Sequence, residues 1–379
     1  MLPGRMLPVF YILVVMTSKE IVLRRLGGQG LAASGVGRGM SARRFSSARF
    51  SSAEEVVRWM GCVQAQDFAM GKWGLGLRFS GATDAGIGAD FDAGRILRTH
   101  VLRPTWHFVL PEDIGWMLDL TGPRVRAGAL SMQRQMGIDK AVLLRSKKIM
   151  AKALGDGQVL TRAEVAVLFS RAKINTDDIR MGMIMMDAEL DGLICSGPRR
   201  GRQFTYRLLT ERGLGFVGDE ALGELARRYF VSRGPATVAD LAWWGGLSLG
   251  QAKRGVEIVR GGMGLEVVDG KEYFFDAASG AAVSVGEVLL LPAWDEYTVA
   301  YKDRSDFLHV DHVGRSSYGL KPVVVVNGKV VGVWRRVLGK GEVVVEVSPF
   351  AALSAAVSGA VGSAVKRYGR FLGLTGRIG

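Results

Sequence analysis

Two glutamines separated by one alanine form a pair whose residue type and spacing could do chemistry. Gln64 and Gln66 lie in the largely apolar run of residues 62–68, Cys-Val-Gln-Ala-Gln-Asp-Phe. In an extended segment, side chains two positions apart point to the same side, so both carboxamides would face one cavity. Buried polar groups are costly unless they are hydrogen bonded. The pair therefore predicts either a functional site or a structural element in which the amides bond to the backbone and to each other.

A second polar run, residues 98–109, could support the same site. It reads Arg-Thr-His-Val-Leu-Arg-Pro-Thr-Trp-His-Phe-Val. His107 could orient a glutamine or contact a phosphate, or it could be a packed histidine bonded to the backbone. Arg103, Thr105 and Trp106 are its candidate supporting neighbours.

The sequence does not predict a metal centre. The two cysteines, Cys62 and Cys195, form no Cys-x-x-Cys pair, and the closest histidines, His309 and His312, are expected in a loop. Neither pattern has the ligand spacing of a zinc site. Two cysteines in a chain of this length also exclude a disulfide scaffold and are typical of a reducing compartment.

The charge balance predicts a polyanionic partner. Fifty Lys and Arg against 36 Asp and Glu give a formal charge of +14, and the first fifty residues hold eight basic side chains and one acid. Nucleic acid is the expected partner, and an anionic membrane surface is the alternative. The excess could also serve solubility or reflect an arginine-rich genome.

The length of 379 residues predicts two to four domains. The ten apolar residues 6–15 are too short to span a bilayer, and no small-residue cleavage site follows them. We therefore expect residues 1–15 to be an upstream extension before a start at Met16, no membrane segment, and a cytoplasmic, nucleoid-associated protein.

The elements that must position these residues follow a repeated pattern. A serine or threonine followed three residues later by an acid, the signature of a helix start, occurs in residues 51–55, 161–164 and 237–240. The irregular spacing argues against a solenoid and favours one small module used three times. The expected units are 16–122, 123–212, 213–284 and a β-rich domain, 285–379.

The third unit is the clearest. A helix over 221–233 ends at Gly-Pro, and two short capped helices follow, the second running from Ser248 to Ile258. Residues 265–275 then predict a hairpin with an Asp-Gly turn. This is the element order of a winged helix, in which the last helix reads DNA and the hairpin is the wing. Lys253 and Arg254 on that last helix are candidate DNA contacts.

The second unit repeats the order with a basic hairpin over residues 193–207. A flexible arginine-rich tip fits a phosphate-contacting wing, and a solvated turn is the alternative. Its candidate DNA contacts are Arg199, Arg200, Arg202 and Arg207, to which Lys72 of the first unit is added.

The last quarter is rich in valine, with an Asn327-Gly328 hairpin signal and a final helix over 349–373. We expect an α+β protein: tandem winged-helix modules followed by a small β-barrel-like domain with a terminal helix.

Taken together, these motifs resemble the AlkZ/YcaQ family of winged-helix DNA glycosylases from residue 16 into the β-rich domain. The matching segments are residues 64–66 (Gln-Ala-Gln), 103–109 (Arg-x-Thr-Trp-His-x-Val), 234–244 (Gly-Pro-Ala-Thr-x-Ala-Asp-x-Ala-Trp-Trp), 291–297 (Leu-Pro-Ala-x-Asp-Glu-Tyr), 301–304 (Tyr-x-Asp-Arg) and 332–336 (Gly-x-Trp-Arg-Arg). The resemblance implies winged-helix modules around a DNA channel, with Gln64 and Gln66 as the catalytic pair. Within the family, the chain resembles the branch whose motif has two glutamines. Ala65 is small for the apolar residue at the middle position of that motif.

The chemistry that the resemblance implies is hydrolysis of the N-glycosidic bond of N7-alkylguanine or N3-alkyladenine, including crosslinked bases. Such a base already carries positive charge, so the enzyme needs to hold a water and stabilise an oxocarbenium-like state without protonating the leaving group. A carboxamide can do this, although it is a weaker base than a carboxylate. We expect a monomer that acts on double-stranded DNA without a cofactor. A winged-helix regulator without catalytic activity is the alternative hypothesis.

Overall fold

The computed structural model describes residues 16–31, 50–177, 179–210, 212–213, 215–277, 288–309 and 320–379. Helices and sheets alternate along this part of the chain, which confirms the α+β class. The predicted extension, residues 1–15, and His312 lie outside the described residues. Within them, none of the helices has the length and apolar character needed to cross a membrane.

The first unit places the glutamines on the edge strand of a small sheet. Its elements are α1 (Ser18–Gly28), α2 (Ala53–Met60), β1 (Cys62–Gln64), α3 (Phe68–Gly76), α4 (Asp84–Asp92), β2 (Leu97–Val101) and β3 (Arg103–Val109). The sheet is antiparallel in the order β1-β3-β2. The predicted cap of α2 is confirmed at Ser52, which accepts from the backbone N–H of Glu55.

The second unit repeats this order after a long helix. Its elements are α5 (Pro111–Gln135), α6 (Lys140–Ala153), β4 (Leu160–Thr161), α7 (Arg162–Arg171), α8 (Arg180–Leu190), β5 (Ile194–Arg200) and β6 (Gln203–Leu208). Its sheet has the order β4-β6-β5. The boundary that we expected after residue 122 falls inside α5. The capping box at Thr161 is confirmed, because its hydroxyl and Glu164 each bond the other's backbone N–H.

The third unit has the elements predicted for it. They are α9 (Asp219–Arg233), α10 (Val238–Gly245), α11 (Leu249–Val259), β7 (Met263–Val268) and β8 (Lys271–Asp276). Asp269 and Gly270 both have positive φ, as a type I′ turn requires. Ala236 pairs with Phe274 at the position where the other two units have their first strand. The three units therefore share one strand arrangement.

The last quarter forms a five-stranded sheet. Its elements are β9 (Val288–Leu291), α12 (Glu296–Val299), β10 (Val323–Val326), β11 (Lys329–Leu338), β12 (Glu342–Pro349), α13 (Ala355–Leu372) and β13 (Thr375–Ile378). The strand order is β13-β12-β11-β10-β9. The Asn327-Gly328 turn between β10 and β11 is confirmed. Strand β13, parallel to β12, was not predicted from the sequence.

The hydrophobic core divides the molecule unevenly. One core joins the first unit, the third unit and the five-stranded sheet, with Trp73, Trp244 and Trp334 among its buried side chains. The second unit has its own core, which includes Met181 and Met185 of the methionine-rich face of α8. The glutamine motif therefore lies beside a hydrophobic core to which three parts of the chain contribute.

Candidate active site

Gln64 lies at the end of β1 with its side chain largely buried. It is 7% exposed, and it pairs across the sheet with His107. Its carboxamide oxygen, Oε1, is buried without a hydrogen-bond partner among the described residues. An unsatisfied buried acceptor is rare in a folded protein and points to a group that a water or a ligand would satisfy.

Gln66 is held differently. It is partly exposed, and its Oε1 accepts from the backbone N–H of Trp106 at 3.3 Å. The intervening Ala65 donates its own N–H to the carbonyl of Trp106 at 2.8 Å. Asp67 does not continue the strand, because its carboxylate caps α3 by accepting from Met70. A purely structural role, in which the amide bonds to the backbone, therefore accounts for Gln66. It does not account for Gln64, whose amide oxygen has no such bond among the described residues.

A buried carboxylate from the last quarter of the chain lies directly behind Gln64. Glu296 is fully buried, and its Oε1 accepts from the backbone N–H of Gln64 at 2.8 Å. Its Oε2 accepts from Arg233 at 2.9 and 2.7 Å and from the indole of Trp244 at 3.0 Å. Burial alone would raise the pKa of Glu296, but the charges of Arg233 and its neighbours lower that pKa to about 2. An ionised carboxylate therefore anchors the backbone of Gln64.

His107 is neutral and presents an unused acceptor. Its Nδ1 donates to the carbonyl of Thr105 at 2.9 Å, so its proton lies on Nδ1 and its Nε2 carries a lone pair. Burial, and then the nearby charge of Arg103, lower the pKa of His107 to about 3. Its Nε2 has no hydrogen-bond partner among the described residues. The histidine is thus backbone-bonded on one side only.

More unsatisfied polar atoms surround this position. Buried atoms without partners include Oγ1 of Thr105, Nη2 of Arg103 and Nε of Arg304. The charge of Arg103 is among the causes that lower the pKa of Arg304, after burial. Next to Arg103, Leu102 has a left-handed backbone (φ 63) and donates its N–H to Thr121 at 3.1 Å. Strained backbone and unsatisfied polar atoms are typical of functional sites.

The opposite face of the same sheet packs against the second unit. Trp106 and Arg98 lie on this face, and the guanidinium of Arg98 stacks on the indole at 4.5 Å and donates to the carbonyl of Ala65 at 3.0 Å. His100 and Trp106 both contact Glu189 of α8. A cleft of about 740 Å³ opens here, lined by Trp106, Arg98 and residues of the second unit.

The basic hairpin of the second unit is largely engaged by the protein. Arg199 bonds Asp92 of the first unit through two guanidinium nitrogens, and Arg200 pairs with Glu164. Arg207 is half-buried and bonds the thiol of Cys195. Arg202 is exposed at the tip and lines the cleft. Of this set, Arg202 is the residue best placed to meet a ligand.

The remaining predicted DNA contacts divide into buried and exposed residues. Lys72 is 3% exposed, binds Asp84 at 2.7 Å and lies over the ring of Phe68. Lys72 is therefore poorly placed to contact DNA, because its charge is already paired inside the protein. Lys253 and Arg254 are exposed on α11, although Arg254 pairs with Asp219.

Four residues of the site were missed by sequence reasoning. Glu296 and Arg304 belong to the motifs that match the family, but the sequence does not indicate what they contact; an acidic pair after an apolar strand is the available signal for Glu296. Arg233 and Glu189 lie in helices and had no local signal. Among the described residues, no group of three or more His, Cys, Asp or Glu side chains could hold a metal ion.

The fold is similar to a solved enzyme. The structure matches the DNA glycosylase AlkZ of Streptomyces sahachiroi with a TM-score of 0.76, at 22% identity, over 97% of this chain and 100% of that one. In sequence, the chain is 27% identical over 310 residues to an interstrand DNA cross-link repair glycosylase of the same organism. That similarity covers 75% of this chain and 82% of the relative.

The class of protein is that of a DNA glycosylase, as the motifs predicted. The family model "DNA glycosylase AlkZ-like" matches residues 57–371, which is most of the chain. The chain therefore belongs to the AlkZ-like DNA glycosylase family. The family that we inferred from the Gln-Ala-Gln motif and its companions is confirmed.

Proposed function

We propose that this glycosylase removes alkylated purines, N7-alkylguanine or N3-alkyladenine, from duplex DNA, with Gln64 and Gln66 in its active site. The observation that carries the proposal is the buried Oε1 of Gln64, which has no partner in the part of the chain that the structure describes; the backbone of Gln64 is anchored by the ionised Glu296. The name of the similar interstrand cross-link repair glycosylase supports crosslinked bases as further substrates.

The chemistry follows from the charge already on the base. An alkylated purine is cationic and leaves without being protonated, so a strong acid is not needed. The Oε1 of Gln64 is a free acceptor for one O–H of an attacking water, and the lone pair on Nε2 of His107, its cross-strand neighbour, is a second. The ionised Glu296 has its charge balanced by Arg233, so its role here is to hold the backbone of Gln64 in place.

The repeated strand arrangement supports three winged-helix modules. The orders β1-β3-β2 and β4-β6-β5 are equivalent, and the Ala236–Phe274 bridge completes the third unit. The domain limits remain those expected from the sequence, except that α5 joins the first two units. We further propose that the last domain is barrel-like, because α13 contacts both edge strands of its sheet, β9 and β13.

DNA contact is proposed for the exposed basic residues. Arg202 at the hairpin tip and Lys253 and Arg254 on α11 are accessible. Arg199, Arg200 and Arg207 would contact phosphates only by giving up bonds that they make within the protein. A net charge of +14 supports binding to double-stranded DNA. Action as a monomer and a nucleoid-associated, cytoplasmic location are part of the same proposal.

The test uses a duplex that carries one N7-methylguanine, followed by mild alkali to cleave abasic sites. We expect wild-type protein to give cleavage, and Gln64→Ala and Gln66→Ala to lower the single-turnover rate on the order of 100-fold. Gln133→Ala is the matched control, because Gln133 is a buried glutamine on α5.

Each outcome has a separate meaning. Wild-type rates in both glutamine variants would place the active site elsewhere. Salt-sensitive duplex binding without cleavage of this substrate or of a crosslinked duplex would favour a DNA-binding protein without catalytic activity. Absence of duplex binding would contradict both hypotheses.

A further inference from the structure

One carboxylate of the second unit is buried against the sheet that carries the glutamines. Glu189, near the end of α8, has a fully buried side chain. Burying an ionised carboxylate costs several kcal/mol unless it is paired and hydrogen bonded. Both of its hydrogen-bonding partners, His100 and Trp106, lie in the sheet of the first unit. The carboxylate therefore adds a buried polar contact between two units that also meet through Leu190 and Cys195 in the main core and through the Arg199–Asp92 pair.

The neighbouring acid on the same helix is used in another way. Asp187 is also buried, but its partner is Lys147 of α6, within the second unit. Both acids lie on α8, but only Glu189 contacts the first unit, because the two side chains leave the helix in different directions. Asp187 thus provides an internal comparison.

Trp106 connects Glu189 to the catalytic motif. Its indole Nε1 donates to Oε1 of Glu189 at 3.4 Å, and its ring lies 4.3 Å from that of His100, which contacts the other carboxylate oxygen. Its main chain bonds Gln66 Oε1 through the N–H, at 3.3 Å, and the N–H of Ala65 through the carbonyl, at 2.8 Å. Trp106 is therefore held by Glu189 through the Trp106 side chain, and it holds Gln66 through the Trp106 backbone.

We propose that Glu189 is a positioning residue for the glycosylase reaction: it fixes Trp106, and Trp106 fixes the carboxamide of Gln66. The inference rests on the proposed role of Gln66. A glutamine side chain has three rotatable bonds and is only partly buried here, so its orientation must come from neighbours. A misplacement of about 1 Å can cost a factor on the order of 100 in rate.

The experiment measures single-turnover excision of N7-methylguanine and, separately, the Kd for the same duplex. The variants are Glu189→Gln, Trp106→Phe, Gln66→Ala and the double variant Glu189→Gln/Gln66→Ala, with Asp187→Asn as control. Glu189→Gln keeps the shape and one acceptor but removes the charge. Trp106→Phe removes the indole N–H and keeps the backbone and an aromatic ring.

We expect Glu189→Gln to slow excision about 10-fold with Kd unchanged within about twofold, and Trp106→Phe to slow it several-fold. In the Gln66→Ala background, Glu189→Gln should cause less than a twofold further loss, because its effect passes through Gln66. Asp187→Asn should keep the wild-type rate. If Glu189 were merely structural, the rate losses of Glu189→Gln and Gln66→Ala would instead multiply in the double variant.

The outcomes separate this proposal from the function beneath it. If Gln66→Ala excises at the wild-type rate, the proposed catalytic role of Gln66 fails. If Gln66→Ala is slow but the Glu189→Gln effect is absent or fully multiplicative, the glycosylase assignment stands and the positioning role is overturned. If Glu189→Gln does not fold, the same comparison is made with Trp106→Phe. A loss of rate that disappears in the Gln66→Ala background supports the positioning role, and a loss that is absent or fully multiplicative overturns it.

Discussion

Replacing Glu296 by glutamine removes one buried charge and leaves the side-chain shape unchanged. The carboxylate accepts four hydrogen bonds, one from Gln64, two from Arg233 and one from Trp244. In Glu296→Gln, one of the two oxygens becomes an NH₂ group that cannot accept, and the fully buried Arg233 loses its counter-charge. The change therefore tests how far this ion pair stabilises the site.

Two routes give the same magnitude. Lowering the pKa of Glu296 from 4.5 to about 2 corresponds to about 3–4 kcal/mol, at about 1.4 kcal/mol per pKa unit. Removing one partner of a buried ion pair costs about 3–5 kcal/mol. We therefore expect Glu296→Gln to lose about 3–5 kcal/mol of unfolding free energy at pH 7, a large part of the stability of a typical domain.

The assay is urea denaturation of both proteins across a pH series. Because the folded pKa is lowered, the wild-type protein should lose this stabilisation as pH falls from about 4.5 towards 2, and Glu296→Gln should lack that dependence. Asp219→Asn is the control, since its pair with Arg254 is exposed to solvent and should contribute little to the free energy of unfolding. A loss under about 1 kcal/mol for Glu296→Gln would refute the reasoning. Excision should slow as well, because the backbone of Gln64 loses its anchor.

Three further predictions concern the site and its surroundings. The unfolding free energy should fall as pH falls from about 6.5 to about 3, because folded His107 excludes a proton that the unfolded chain binds; His107→Asn should remove this part of the pH dependence in urea titrations. Lys253→Ala should weaken duplex binding and reduce the slope of log K against log salt by about 1. Lys72→Met should leave that slope unchanged, and a reduced slope would contradict the burial argument. Gly246→Ala should lower the free energy of unfolding by more than about 2 kcal/mol, because a Cβ at φ +61 would lie 2.0 Å from a main-chain oxygen of the β2–β3 turn. Gly250→Ala is the control, because a Cβ there meets no close neighbour. Equal melting temperatures for the two variants would contradict this prediction.

Local features of the fold could be read from the sequence because they depend on residues close together in the chain. The capping boxes at Thr161 and Thr237 begin the helices that they predict, and Asn327 and Gly328 adopt the positive φ of a tight hairpin turn. These signals act through backbone groups within a few residues, so tertiary packing does not alter them. Strand β13 lacked such a signal, because it pairs in parallel with β12 and the chain between the two strands contains the whole of α13.

Surface charge was less predictable, because composition does not say which cations are already paired. Lys72 and Arg199 carry the same formal charge as Lys253. Only the packing shows that Lys72 is enclosed with Asp84 and that Arg199 is bound to Asp92 of another unit. A count of basic residues overstates the surface that is available to DNA.

The sequence by itself determined the family, the α+β class, and the stretch of chain that carries the two glutamines. Tertiary structure decided what surrounds them. Glu296 lies 232 residues from Gln64 along the chain, and Glu189 lies 89 residues from His100, yet each is in hydrogen-bond contact. No local pattern encodes such pairs, because a buried carboxylate acquires its partners only when distant elements pack together and exclude water.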